Sequence, residues 1–394
     1  METWNEGKIK DFADVKGGKR LPKGKQLITE PNSHPYIRIR DLGKGKVLEL
    51  NSDYEYVDDE TQESIAKYIV EAGDILVSVV GTIGLIAIVG ESLDRANQTE
   101  NCDKIINIKG IDRDYLYYYL ISPTGQEEIR RGTVGAVQPK LPLKNVQDIT
   151  VKYPSIGTQQ KIVSILNSID DKIATNEQIN RNLSEQAKAI FEHELLKFKN
   201  VPEGWTQGSL IDIADYLNGL AMQKFRPADE EEGIPVLKIK ELRQGFCDTS
   251  SEMCSPSIKT EYIIHDGDVI FSWSGSLLVD FWCGGKCGLN QHLFKVTSDR
   301  YDKWFYYSWT LYHLDRFAAV AADKATTMGH IKRDELVKAE VLIPRKSDYE
   351  RIGSIMAPIY DTIISNRIMN RKLAALRDEL LPQLMSGEIN FLEG

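Results

Sequence analysis

Residues 159–194 read QQKIVSILNSIDDKIATNEQINRNLSEQAKAIFEHE. Every third and fourth residue gives Ile162, Leu166, Ile169, Ile173, Asn176, Asn180, Leu183, Ala187 and Ile190. Spacing of about 3.5 residues keeps one apolar stripe facing a partner helix, the pattern of a coiled coil. A second stretch carries the same seam: Ile352, Met356, Ile359, Ile363, Asn366, Asn370, Leu373, Arg377 and Leu380. A lone amphipathic helix on a globular body accounts for one such stretch. It does not account for two that match position for position, each with adjacent seam asparagines. Seam asparagine costs stability but fixes register and orientation. An antiparallel pair is predicted, with Asn176 and Asn180 near Asn366 and Asn370. From Gln159 to Glu194 such a helix spans about 50 Å at 1.5 Å per residue, a spacer of macromolecular length.

The sequence ahead of each rod is duplicated as well, about 190–200 residues apart. Trp4, Gly7, Asp11, Ala13 and Asp14 recur as Trp205, Gly208, Asp212, Ala214 and Asp215. Pro35-Tyr-Ile-Arg-Ile-Arg-Asp-Leu42 recurs as Pro235-Val-Leu-Lys-Ile-Lys-Glu-Leu242. Gly73-Asp-Ile-Leu76, with Ser78 and Gly81, recurs as Gly267-Asp-Val-Ile270, with Ser272 and Gly275. Asn97-Gln98 recurs as Asn290-Gln291, and each copy closes on a proline, Pro154 or Pro344. Spacers and residue choices differ between the copies, as in one scaffold carrying two different reading heads.

Within each copy, short β-branched segments bounded by turn residues (Tyr36–Arg40, Ile75–Val80, Leu85–Val89) read as strands. Asp114–Ser122 and Asp302–Thr310 read as aromatic helices whose rings, Tyr117 to Tyr119 and Phe305 to Tyr307, belong to the core. Val146–Val151 and Leu336–Val341 read as closing strands or turns. The fold class is therefore α+β. It comprises two similar α/β-mixed domains, at residues 1–154 and 200–344, separated by two long antiparallel coiled-coil helices as a pseudo-two-fold internal repeat. The helices fall at 155–199 and 345–394, the latter including a tail.

A chain of 394 residues with 42% hydrophobic and 27% charged content is ordinary for a globular protein. No apolar run of about 18 residues predicts a transmembrane helix, and Met-Glu-Thr-Trp-Asn-Glu at the start lacks the pattern of a signal peptide. A cytoplasmic protein with no membrane partner is expected. Net charge is −9, unlike a lone nucleic-acid binder. Either basic residues gather on one face or a partner supplies most phosphate contacts.

Of five cysteines, Cys247, Cys254, Cys283 and Cys287 lie in the second half. Only Cys283 and Cys287 have the spacing of a zinc knuckle, and the first copy has nothing comparable, so free, partly buried thiols are expected and no metal. The sequence has no G-x-x-x-x-G-K-[ST] loop, no H-E-x-x-H, no G-x-S-x-G, no adjacent prolines and no Pro-Asp. These gaps count against NTPase, metalloprotease, hydrolase, amino-methyltransferase and common nuclease chemistry. A binder is predicted, with no catalytic residues.

Sequence reading of DNA uses Arg, Lys, Asn and Gln at base edges and further cations on phosphates. The basic, glycine-containing loop with Lys16, Lys19, Arg20, Lys23 and Lys25 is one candidate; Asn218, Gln223, Lys224 and Arg226 stand in its counterpart. Arg38 and Arg40 alternate with Ile37 and Ile39 and so share one strand face, as do Lys238 and Lys240. Asn97, Gln98, Asn290 and Gln291 read either as turn residues or as adenine readers. In the polar loops after the aromatic helices, Gln138, Lys140, Thr327, His330 and Lys332 are the candidates. A solvated charge run is the bland alternative for the basic loop.

Together these features resemble the specificity (S) subunit of type I restriction-modification enzymes, over the whole chain. Gly73-Asp-Ile-Leu-Val-Ser78 and Gly267-Asp-Val-Ile-Phe-Ser272 resemble the family's Gly-Asp strand. Pro154 through Gln159-Gln160 and Ile162 is similar to the start of its conserved helix. Leu376-Arg-Asp-Glu-Leu-Leu-Pro-Gln-Leu-Met-Ser-Gly-Glu-Ile389 is similar to its usual ending. Departures are the missing second proline and Glu-Gln pair at the helix start, and Val79 and Trp273 where an arginine often follows the serine. The resemblance implies two target recognition domains, each reading half of a bipartite, asymmetric site in double-stranded DNA, with the helices as a ruler. It implies methyltransferase (M) subunits docked on the helices, carrying S-adenosylmethionine and the adenine-methylating site. Restriction (R) subunits using ATP and Mg would join for cleavage, and this chain would hold no cofactor.

Overall fold

The computed structural model describes residues 3–43, 45–323 and 333–389. The chain forms two compact units, Met1–Asp171 with Ala374–Gly394, and Lys172–Leu373.

In the first unit the strands are β1 (Asn5–Lys8), β2 (Asp14–Gly17), β3 (Pro35–Ile37), β4 (Val47–Leu48), β5 (Glu55–Tyr56), β6 (Ile75–Ser78), β7 (Ile86–Val89), β8 (Asn97–Gln98), β9 (Cys102–Ile106) and β10 (Thr150–Tyr153). They make a β1-β10 pair, a five-stranded sheet in the order β2-β9-β6-β7-β4, and a three-stranded sheet β5-β3-β8. The second unit has β11 (Thr206–Ser209), β12 (Asp215–Asn218), β13 (Ile234–Leu237), β14 (Met253–Cys254), β15 (Ile263–Ile264), β16 (Val269–Ser272), β17 (Leu278–Phe281), β18 (Cys287–Leu289), β19 (Leu293–Thr297) and β20 (Glu340–Ile343). Its sheets are β11-β20, β12-β19-β16-β17 and β14-β13-β18-β15. The shared strands correspond in order: β1-β10 matches β11-β20, β2-β9-β6-β7 matches β12-β19-β16-β17, and β5-β3-β8 matches β14-β13-β18; among the described residues β4 has no counterpart in the second unit's sheets and β15 none in the first's. Asn5 faces Tyr153 as Thr206 faces Ile343, and Ile75 faces Ile105 as Val269 faces Val296. Each unit is a mixed α/β body, and the repeat is one of structure as well as sequence.

The recurring acids explain why the repeat persists. Each accepts a hydrogen bond from the backbone N–H three residues earlier and so fixes a turn. Asp11 accepts from Lys8 and Asp212 from Ser209, both at 2.7 Å. Asp41 accepts from Arg38 at 2.7 Å and Glu241 from Lys238 at 3.2 Å. Asp74 accepts from Glu71 at 3.0 Å and Asp268 from His265 at 2.9 Å. A side-chain carboxylate that closes a turn in this way satisfies a donor that would otherwise be orphaned.

Those turns correct one expectation. Tyr36–Arg40 is not a continuous strand: β3 ends at Ile37, and Ile39–Asp41 is a 3-10 turn. In the second unit the equivalent residues open a helix, Ile239–Gln244. Arg38 with Arg40, and Lys238 with Lys240, therefore do not share a strand face. The acid three residues on captures the backbone N–H and curls the chain.

The aromatic segments are helical, at Arg113–Ile121 and Lys303–Tyr312, with Tyr117 to Tyr119 and Phe305 to Tyr307 buried. The closing segments are each a helical turn followed by a strand, Leu143–Gln147 with β10 and Arg333–Val337 with β20.

The first long helix is Ile156–Phe191, continued by one π turn at Glu192–Leu196, and the second is Lys346–Ser386. They run antiparallel. In the second unit Asn176 Nδ2 donates to Asn370 Oδ1 at 2.7 Å, and Asn366 Nδ2 to Asn180 Oδ1 at 2.9 Å. Arg351 meets Glu194 at 2.6 Å. In the first unit Arg377 meets Asp170 at 3.0 Å. Apolar seam residues enter the unit cores: Ile162 and Leu166 in the first, where Leu381 and Leu384 are buried with them and the expected Leu380 packs partly buried alongside, and Ala187 with Ile352, Met356 and Ile363 in the second.

Cys254, Cys283 and Cys287 are buried thiols and Cys247 is half-buried. Burial pushes Cys247, Cys254 and Cys283 up to about 11, which keeps them protonated at neutral pH. Among the described residues no His/Cys/Asp/Glu cluster could hold a metal ion. No helix there is long and apolar enough to cross a membrane.

Candidate nucleic-acid interface

In both units the first loop leaves its strand past a glycine that only glycine can fill. A Cβ on Gly18 would lie 2.1 Å from the Thr99 carbonyl oxygen, and one on Gly219 2.2 Å from that of Asn290. Beyond that shared crossing the loops diverge.

In the first unit the loop carries the basic residues singled out by sequence. Lys19 sits 5.8 Å from the Tyr68 ring centre. Arg20 pairs with Glu100 at 2.7 Å, and Lys25 with Asp58 at 3.1 Å and Glu60 at 2.5 Å. Arg38 and Arg40, although off the strand, converge on one carboxylate oxygen of Glu55, Arg40 at 2.8 Å. Arg40 also donates to the Asp53 carbonyl at 3.1 Å. Arg20, Lys25, Arg38 and Arg40 thus line one surface cleft of 660 Å³ together with Glu55 and Glu100. Lys16 and Lys23 are exposed outside its lining.

Gln138 and Lys140 occupy a separate exposed loop. Reciprocal backbone bonds between Val134 and Lys140, at 2.8 and 2.9 Å, pin its stem, and Gly135 takes φ +95° in its bend. Val137 at the tip is 93% exposed. Lys140 lies near Asp103, whose buried carboxyl is pushed up to about 6 by desolvation, a shift the Lys140 charge partly offsets.

In the second unit Gln223, Lys224 and Arg226 are exposed around the turn Met222–Lys224. Arg226 and Lys238 both meet Glu252, at 3.5 and 2.6 Å. Lys240 reaches Asp248 at 3.2 Å and Ser250 at 2.7 Å. Asn218 accepts from the Trp273 indole N–H at 3.0 Å. Thr327, His330 and Lys332 lie outside the described residues.

The Asn-Gln pairs are corrected on two counts. Asn97 and Gln98 are 1% exposed within β8, where Asn97 donates to Gln62, and Asn290 is 6% exposed with Oδ1 accepting from the His292 N–H at 3.2 Å. Burial keeps these groups from base edges, although both Gln98 side-chain polar atoms and Asn97 Oδ1 are buried without a partner; Gln291 alone is half-buried, 3.4 Å from His292. Nor are the pairs equivalent. Thr99 N–H donates to Ile37 and Asn290 N–H to Leu237, so Asn290 corresponds to Thr99, two residues from the position the sequence match indicated.

The sequence reading missed two glutamates. Glu55 faces Tyr36 across the β3-β5 pair, and the Glu252 carbonyl accepts from the Val236 N–H in the matching place. Glu55 opens the two-residue strand β5 and Glu252 immediately precedes the two-residue strand β14; the loops that lead to them differ in length, and no motif marks them. Each gathers two of the predicted cations.

The duplicated scaffold has a counterpart among known proteins. A model of the type I restriction modification DNA specificity domain matches residues 1–185 and again residues 202–375. The chain belongs to this family. As a specificity subunit it serves DNA sequence recognition and is not the catalytic component. The specificity subunit of the MjaIX type I restriction enzyme of Methanocaldococcus jannaschii is 25% identical over 413 residues, covering 100% of this chain and 95% of that protein. That of the HindI enzyme of Haemophilus influenzae is 21% identical over 358 residues, covering 70% of this chain and 77% of its own. The crystal structure of the type I S subunit from M. genitalium shares the fold, with a TM-score of 0.55, 15% identity, and coverage of 97% and 96%.

Proposed function

We propose that this specificity subunit reads a bipartite, asymmetric site in double-stranded DNA. One half is read by the domain at residues 1–154 and the other by that at 200–344, and partner subunits are directed to methylate adenine or to restrict. The observation that carries this is the matched pair of strand frameworks with unlike side chains on equivalent positions. Arg38 stands where the second unit has Lys238, and the loops past Gly18 and Gly219 differ in length and charge. A shared set of strands carries the reader at the equivalent place in each domain, and different residues select different bases.

The long helices suit the role of spacer and of docking surface for methyltransferase subunits. Besides the buried seam, each helix leaves apolar residues exposed at two matching positions, Ile165 and Ile179 on the first and Ile355 and Met369 on the second. A repeated apolar stripe on a solvent face favours protein contact. With net charge −9, such partners would supply much of the attraction to the duplex. S-adenosylmethionine, ATP and Mg are assigned to the M and R subunits, because this sequence carries no nucleotide-binding or methyltransferase motif. The complex would act in the cytoplasm.

Methylome sequencing of cells expressing this chain with its methyltransferase partner tests the reading. A split adenine-methylated motif with a constant gap is expected; an ungapped motif, or none, refutes it.

A further inference from the structure

Glu55 and Glu252 are not themselves base readers, yet the same constellation of cations surrounds one in each unit. A glutamate at the start of the short strand beside β3 (Glu55, in β5) or just ahead of the one beside β13 (Glu252, before β14) receives a cation from just past the end of β3 or β13, Arg38 or Lys238, and a second cation from elsewhere, Arg40 or Arg226. Surface ion pairs are weak and cost side-chain entropy, so stability does not account for a twofold occurrence. Geometry does. A guanidinium tethered through one nitrogen by a carboxylate is restricted in where it can reach while its remaining donors stay available. In the first unit Arg38 and Arg40 share one Glu55 oxygen, Arg40 is further held by the Asp53 carbonyl, and both line the basic cleft. Their side chains stay 42% and 50% exposed, against 25% for Glu55.

Resting on the DNA-reading function, we propose that Glu55 is a positioning residue: it presents Arg38 and Arg40 as a preset guanidinium pair for a guanine in the half-site read by the first domain. Guanine offers N7 and O6 in the major groove to such a fork, the commonest specific contact. In the second unit Lys238 puts an ammonium, a point charge without a fork, where the first has Arg38, and Arg226 is the one guanidinium of that clasp.

The test uses the full chain assembled with its methyltransferase partner, and duplexes carrying the methylome-defined site with each single-base change. The half-site of the first domain is the one whose discrimination R38A/R40A alters. E55Q is expected to relax discrimination at one guanine there by about 5- to 100-fold, to leave the other half-site unchanged, and to have no further effect in the R38A/R40A background. R38K/R40K, which keeps both charges and the ion pairs, is expected to relax the same position with the salt dependence unchanged. A first half-site without a G·C pair overturns the proposal. So does an E55Q complex that binds every duplex more tightly by one common factor, or loses further discrimination in the double-alanine background. Failure of the wild-type complex to discriminate at all sinks the functional reading itself; intact wild-type discrimination with unaffected variants sinks the clasp alone.

Discussion

Asn176 donates its side-chain amide to Asn370 at 2.7 Å, and the Asn176 Oδ1 is left buried without a partner. Asn370 in turn donates to the Ile173 carbonyl at 3.3 Å. With the neighbouring pair Asn180–Asn366 this makes two successive polar layers in the seam of two antiparallel helices, where a shift of either helix by one residue would strand them.

Replacing Asn176 alone with Leu is therefore expected to destabilise the chain by about 1–3 kcal/mol, since it leaves the half-buried Asn370 Oδ1 without its donor. Replacing Asn176 and Asn370 together with Leu is expected to restore or exceed wild-type stability while admitting other registers and self-association. Thermal unfolding with light scattering checks both; equal losses in the single and double variants would contradict the layer.

Tyr118 donates to Asp170 at 2.7 Å and Arg377 pairs with it at 3.0 Å. Arg377→Met removes the cation and leaves a largely buried carboxylate, at a cost of about 2–3 kcal/mol. Denaturant unfolding reads this loss, and Asp170→Asn in the same background should recover most of it.

Asp103 has a carboxyl pushed up to about 6 by burial, above its ordinary 3.8, with one oxygen unpartnered. A folded-state value above the unfolded one means that the folded chain binds the extra proton. Its contribution is fully present below about pH 4 and is lost as pH rises through about 6. Asp103→Asn is expected to be more stable than wild type at pH 7, by an amount on the order of 2 kcal/mol, and to lose that advantage between pH 6 and 4. Unfolding midpoints of both proteins across pH 4–8 check it.

Replacing Arg38 and Arg40 with alanine is expected to weaken recognition of one half-site by about 10-fold or more and to leave discrimination at the other intact. Competition binding against duplexes mutated in either half measures this. Equal loss at both would contradict modular reading.

Seven residues inserted into each long helix at matched levels, after Asp170 and after Leu373, add about 10 Å, or about three base pairs at 3.4 Å. A longer gap in the methylated motif is expected from sequencing, and an unchanged gap would count against the spacer role.

The sequence by itself determined the features that local pattern can encode. The seam from Ile162 to Ile190 and its copy from Ile352 to Leu380 specify helices, because their period repeats over many turns. Gly-Asp turns and closing prolines mark the duplication, because turn chemistry is confined to a few neighbouring residues. The basic loop and Arg38 with Arg40 were legible as cations, though not as neighbours. Only the tertiary structure brought Arg20, Lys25, Arg38 and Arg40 to one cleft, placed Glu55 and Glu252 at its equivalent points, and buried Asn97, Gln98 and Asn290. Those relations join strands separated by loops of unequal length, and pairing across such loops is decided by which residues the packed sheets bring face to face, a quantity that no local period records.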